Sequence, residues 1–202
     1  MDDDAPATMV DIAFALEGAA LPREHRRALA AALVAAQPWL ADLRHAWLHR
    51  VNVVAGNGAL ALLSGRSHLM LRVARERAAD AGALAGSVLT IDGHALRLGA
   101  PRVRELLPHA TLYSHLVAAG DAGEADFLRS IADELAALDV RCRSICGRRQ
   151  MTEGGTLTGF GLMLDGLSRT ASLRVLESGL GAERRLGCGL FVPHKSAAAV
   201  GA

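Results

Sequence analysis

The stretch Gly179–Phe191, GLGAERRLGCGLF, sets the order of the elements around it. Leu173, Leu176 and Leu180 recur at helical spacing before it, and the apolar Leu190, Phe191 and Val192 that close it read as a strand. Dinucleotide fingerprints and P-loops run the other way, from strand through glycines into helix, and no Gly-Lys-Ser/Thr follows here. Gly179, Gly181, Gly187 and Gly189 bracket Arg184 and Arg185. Glycine takes positive φ freely and lets another backbone come close. Successive N–H groups in such a loop can ring an anion, and guanidiniums offer planar forks of donors to phosphate oxygens. The stretch is either a loop shaped to a phosphate backbone or a plain connector between helix and strand.

Outward from the loop the pattern is βαββαβ. Ser168 suits the N-cap of the preceding helix, and Thr156–Leu164 is the clearest strand, ending at an Asp165–Gly166 turn. Gly147–Gly155 reads as a hairpin loop and Val140–Ile145 as a strand. A helix from about Glu124 to Leu138 places Phe127, Ile131, Leu135 and Leu138 on one face. Thr111–Val117 is the strand that opens this half. The first half repeats the scheme. Val10, Ile12, Phe14 and Leu16 alternate with Asp11, Ala13, Ala15 and Glu17, the period of a half-buried strand. Pro22 suits a first helical position, and Leu29, Leu33, Ala36 and Leu40 continue at helical spacing until Pro38 ends or kinks the helix. Strand patterns at Val51–Val54, Leu60–Leu63 and Leu69–Val73 follow, the first two around Asn57–Gly58. An alanine-rich helix over Arg75–Leu84 comes next, then a hairpin turning at Asp92–Gly93. The expected architecture is α+β: two tandem ferredoxin-like (RRM-like) βαββαβ domains with a C-terminal glycine-rich loop. The domains fall at residues 9–99 and 111–195, with a linker at 100–110, a disordered start at 1–8 and a flexible tail at 196–202.

The composition bounds the partners. The chain has 202 residues, enough for a substantial core, and 51% are hydrophobic without an uninterrupted membrane span. The acidic start, MDDDAPAT, is unlike a signal peptide. Cys142, Cys146 and Cys188 form no CxxC pair, so neither a disulfide framework nor a zinc site is indicated, and reduced cytoplasmic thiols are expected. The net charge of +1 says little about nucleic acid, whereas the acid-free run containing Arg141, Arg143, Arg148 and Arg149 says more. That run is a basic patch or a solvated loop. Aromatic residues make up 3% of the chain, so RNA recognition would rest on phosphate contacts and stem shape rather than base stacking.

The glycine loop, with its basic centre and GxGxF-like ending, resembles the signature of the RAMP superfamily of CRISPR-associated RNA-binding proteins. The closing GLGAERRLGCGLFVP is similar to the MYXAN-type repeat-RNA processing endoribonucleases. Thr111–Tyr113, in PHATLYSHLV, looks like that family's entry into its second unit. The spacing from Pro38-Trp39-Leu40 to Leu48-His49 matches its placement of a histidine after the first helix, although Arg50 stands where the family commonly has proline. The resemblance implies a metal-independent endoribonuclease without cofactors. It would cut the stem-loop repeat of CRISPR RNA into guide RNA and stay on its product, in contact with other effector-complex subunits.

Such cleavage needs a base for a ribose 2′-OH, an acid for the departing 5′-oxygen and cations for the phosphoryl charge. Histidine suits the first two roles. His49 is the base that the resemblance implies; the residues alone also allow an exposed histidine at a helix C-terminus. His45, about one helical turn earlier, is the substitute. Tyr113 either orients a reacting oxygen or packs in the core. Lys195 touches phosphate or is a solvated terminal charge. Arg66 and Arg72 line an RNA groove or a strand rim. A non-catalytic guide-RNA-binding subunit and a tandem ferredoxin-like regulatory domain for a small metabolite are the alternative functions.

Overall fold

In the computed structural model the described residues are 6–56 and 58–195. The expected tail, most of the expected disordered start, and Asn57 of the expected turn lie outside them. The chain divides into two compact units. One holds Thr8–Glu105 with Arg185–Gly187, the other Leu106–Arg184 with residues 6–7 and 188–195.

In the first unit β1 (Met9–Glu17) and β2 (Ala20–Pro22) precede α1 (Arg26–Ala36). β3 (Ala46–Leu48), β4 (Val54–Ala55), β5 (Leu60–Leu62) and β6 (His68–Ala74) lead to α2 (Ala78–Gly82), and β7 (Val88–Ile91) and β8 (His94–Glu105) close the unit. Five strands form an antiparallel sheet in the order β3-β6-β1-β8-β7. Apart from β7, this is the ferredoxin-like order, with the first strand between the third and fourth. Its register follows from the alternation in β1: Val10, Ile12 and Phe14 sit opposite Val73, Leu71 and Leu69, all buried. Such apolar cross-strand pairs are the unit of sheet stabilisation. β2, β5 and β4 form a separate small sheet. Asp92 and Gly93 both take positive φ, 46° and 84°, as a two-residue hairpin turn requires.

Two local expectations are corrected, those for Pro22 and for the linker, and the expected helix end at Pro38 is met. Pro22 lies in β2 opposite Leu60, and α1 starts only at Arg26. Pro38 opens a separate 3₁₀ turn, Pro38–Ala41, after Gln37 is driven extended (φ −142°, ψ 94°), as a residue before proline is. β8 runs through Pro101 to Glu105, well into the stretch read as a linker. Proline is tolerated there because it stands beside the register shift between Phe14 and Leu16, where the ladder is already interrupted.

The second unit comprises β9 (Thr111–Ala118), α3 (Glu124–Ala137), β10 (Arg143–Thr152), β11 (Leu157–Asp165), α4 (Arg169–Ser178) and β12 (Val192–Pro193). Its sheet order, β10-β11-β9-β12, is again ferredoxin-like. α3 buries Phe127, Ile131 and Leu135, one apolar stripe at helical spacing. Phe127 stacks on Phe160 of β11 with centroids 4.8 Å apart. The expected hairpin loop over Gly147–Gly155 is mostly strand. β10 continues to Thr152 past a register shift between Cys146 and Arg149, and the turn is confined to the positive-φ residues Glu153, Gly154 and Gly155. Among the described residues no helix is long and apolar enough to cross a membrane.

Ser168 caps α4, its hydroxyl accepting from the Ala171 N–H at 3.2 Å. Ser168→Ala is expected to destabilise the protein by about 1 kcal/mol in urea titration, the usual cost of a lost N-cap. An unchanged midpoint would contradict the cap's role.

Candidate active site

The glycine loop folds on itself. The Leu180 N–H donates to the Gly189 carbonyl at 3.0 Å, and the Gly189 N–H donates to the Leu116 carbonyl of β9 at 2.8 Å. A Cβ on Gly189, whose φ is 69°, would stand 1.8 Å from the Leu180 carbonyl oxygen. One on Gly179 would stand 2.8 Å from the Gly189 oxygen and 2.9 Å from Nε of Arg184. These glycines are therefore required by close backbone packing. The Gly181 N–H already has an anion, the Glu134 carboxylate at 2.7 Å. Burial lowers the pKa of the half-buried Arg184 against the pull of that same carboxylate.

The loop's centre belongs to the first unit. Arg26, buried at the start of α1, donates to the carbonyls of Leu186 and Gly187 at 2.5 and 3.3 Å. Arg185 donates to the Ala41 carbonyl at 2.8 Å while its side chain remains exposed. Nothing local in the sequence marks Arg26 for burial.

His45 and His49 do not share a helix face. His45 precedes β3 and His49 follows it. The His49 N–H donates to the Met70 carbonyl, and the residue is only 6% exposed. Its Nε2 lies 3.2 Å from Oδ1 of Asp11. Arg72, 1% exposed, donates to both oxygens of the same carboxylate, at 2.8 and 2.9 Å. Asp11 and Arg72 are direct cross-strand partners in β1 and β6. Arg72 is thus neither rim nor groove but half of a buried ion pair, and Asp11 is not on a solvated face.

Burial pushes the His49 ring below its ordinary pKa, against the opposing pull of Asp11, so the ring is neutral near pH 7 and donates Nε2–H to the carboxylate. Burial alone would raise Asp11, but His49 and Arg72 outweigh it and hold the carboxyl well below the usual range. With the imidazole neutral, the charge that keeps Asp11 ionised is Arg72.

His45 is in a different environment. Its side chain is 38% exposed, Nε2 lies 3.8 Å from Oδ2 of Asp42, and Nδ1 lies 3.7 Å from Oε1 of Glu76. Nδ1 is buried without a hydrogen bond. In the second unit Tyr113, on β9, is half-buried, and its ring lies 5.7 Å from that of His194. Arg141, Arg143, Arg148 and Lys195 are exposed. Arg149 donates to the carbonyls of Ala122 and Gly120 at 3.1 and 2.9 Å and so braces that loop. A cleft of about 360 Å³ beside the loop is lined by Asp126, Glu134 and Glu183, among others, and its charge does not suit phosphate.

Two ferredoxin-like units, the second completed by a glycine-closed loop, define the class of fold. A family model described as Cas6 Crispr matches residues 10–196. A CRISPR-associated endonuclease Cas6 from Myxococcus xanthus is 36% identical over 194 residues, which is 95% of this chain and 84% of that protein. The chain belongs to the Cas6 family. In solved structures the fold is similar to a CRISPR-associated protein Cas6, with TM-score 0.64 and 11% identity over 93% of this chain and 100% of that one. It is also similar to the product of a Cas6-related gene from Pyrococcus furiosus, with TM-score 0.57 and 12% identity over 91% and 98%.

An imidazole that folding holds neutral binds its proton more readily in the unfolded chain. The stability this contributes is present above about pH 6.5 and lost as the pH falls below it. The urea midpoint is expected to drop between pH 7.5 and pH 5, and to drop less in His49→Gln. Equal drops in the two proteins would contradict the buried neutral ring; Asp11, held below the usual carboxylate range, contributes nothing in that window.

Proposed function

We propose that this protein is a metal-independent endoribonuclease that cuts CRISPR repeat RNA beside a stem-loop to give guide RNA. In the reaction a base takes the proton of a ribose 2′-OH, the 2′-oxygen bonds to the adjacent phosphorus, and the bond from phosphorus to the 5′-oxygen breaks. The products are a 2′,3′-cyclic phosphate and, once that oxygen is protonated, a 5′-hydroxyl. The reading is supported by the 36% identity with a relative named as an endonuclease. The exposed Arg141, Arg143, Arg148 and Lys195 are the proposed phosphate contacts, and the cut RNA stays bound through its stem.

The half-exposed ring of His45 carries the assignment of the base. A base must reach the proton it removes, and His49 is 6% exposed with its Nε2 against Asp11, whereas the His45 side chain is 38% exposed. On that ground His45 is taken as the base, with His49 as the alternative. The burial of His49 also favours a second reading, a guide-RNA-holding subunit that does not cut.

A labelled RNA bearing one repeat of the source genome's CRISPR array, incubated in excess protein with chelator, separates these readings. The wild type is expected to cut once per repeat, and an RNA with a 2′-deoxynucleotide at that position is expected to stay intact. His45→Ala should cut about 100-fold more slowly or worse, the usual worth of a general base, while binding the RNA as before. His49→Gln should still cut. Unimpaired cutting by His45→Ala removes the base assignment, and tight binding without any cutting by the wild type favours the non-catalytic reading.

A further inference from the structure

The polar groups around His45 are unequal. Asp42 faces Nε2, but its oxygens already accept from Arg44: Oδ1 from the backbone N–H and Nε at 3.0 and 3.1 Å, Oδ2 from a guanidinium nitrogen at 2.7 Å. Those bonds hold the Asp42 carboxyl well below the usual range and commit both of its oxygens to Arg44. Glu76 faces the other nitrogen from the 3₁₀ turn Arg75–Arg77 that follows β6. The two arginines of that turn are directed elsewhere. Arg75 pairs with Glu105 at 2.9 Å, and Arg77 pairs with Asp80 at 3.1 Å and lies over the Trp39 ring. The turn is held to the histidine by the Ala74 N–H, which donates to the His45 carbonyl at 2.9 Å.

We propose that Glu76 is the positioning residue of the cleavage site. It accepts the Nδ1 proton of His45, which fixes the tautomer whose free lone pair is on Nε2. The proposal rests on the reading of His45 as the base. Nδ1 is the nitrogen that needs a partner, because it is buried and without a hydrogen bond, and the Glu76 carboxylate lies 3.7 Å from it. Hydrogen bonds of catalytic groups are often long before substrate is bound and tighten in the complex. When Nε2 takes the 2′-OH proton, the ring becomes an imidazolium, and the carboxylate across the ring stabilises it. Glu76 itself never touches the RNA or the reacting atoms in this scheme. A carboxylate in that place sets both tautomer and basicity of an imidazole.

The test reads the ring directly and the reaction separately. Histidine-labelled full-length protein is examined by long-range proton–nitrogen NMR, with the His45 signals identified by their loss in His45→Ala. The wild-type ring is expected as the Nδ1–H tautomer. Glu76→Gln should weaken that preference. In single-turnover cutting of the same labelled repeat, Glu76→Gln should slow the reaction roughly tenfold at neutral pH. It should also leave RNA affinity unchanged. An Nε2–H tautomer in the wild type, or one that Glu76→Gln does not alter, overturns the proposal. If the tautomer moves and the cutting rate does not, the Glu76–His45 contact stands and the role of His45 as base is what fails.

Discussion

The approach of Gly189 to the carbonyl of Leu180 is the contact on which the C-terminal part of the second unit depends. Only a residue without Cβ leaves that oxygen room. Once the two segments meet, the Gly189 N–H reaches Leu116 on β9, and the buried Phe191 follows. β12 is just Val192–Pro193, so the loop supplies much of what a full fourth strand would contribute along β9. In the fold the glycines let a loop take the place of a longer strand, and the Gly181 amide is held by Glu134.

The first unit carries a comparable constraint in its sheet. Asp11 and Arg72 face one another across β1 and β6 almost without solvent. Burying a charge is costly unless its partner and hydrogen bonds are complete, and removing one member of such a pair strands the other. Here the carboxylate accepts two bonds from the guanidinium and one from the imidazole. His49 is thereby tied to the pair through Nε2. Four residues earlier, His45 sits outside the sheet with one edge of its ring open. The two histidines at the ends of a three-residue strand thus have different surroundings: one is buried against Asp11, the other has a side chain 38% exposed.

Much of this was legible from the residues. Alternation over Val10–Leu16, the stripe Phe127–Ile131–Leu135, the Asp92–Gly93 turn and the Ser168 cap each have a local cause, and each lies where periodicity or turn chemistry puts it. What was not legible depends on partners distant in sequence. β3 is three consecutive buried residues, too short to show a period, so His45 and His49 read as the end of a helix. Pro22 suits a helix start, but pairing with β5 draws it into a strand. The basic residues after Gly147 read as a loop because charge and glycine usually mark one; an edge strand, with one side open, accommodates them equally well. Asp11 looked solvated because alternation implies a wet face, and only Arg72, 61 residues away, shows why that face is buried.

One chemical step is central to the proposed function: a protein imidazole moves a ribose proton so that the RNA's own 2′-oxygen breaks the chain. Mass spectrometry of the fragments formed in chelator tests it most directly. A 2′,3′-cyclic phosphate on the upstream fragment and a 5′-hydroxyl on the downstream one is the predicted result. A 3′-hydroxyl facing a 5′-phosphate would mean that water, not the sugar, attacks phosphorus, and would contradict it.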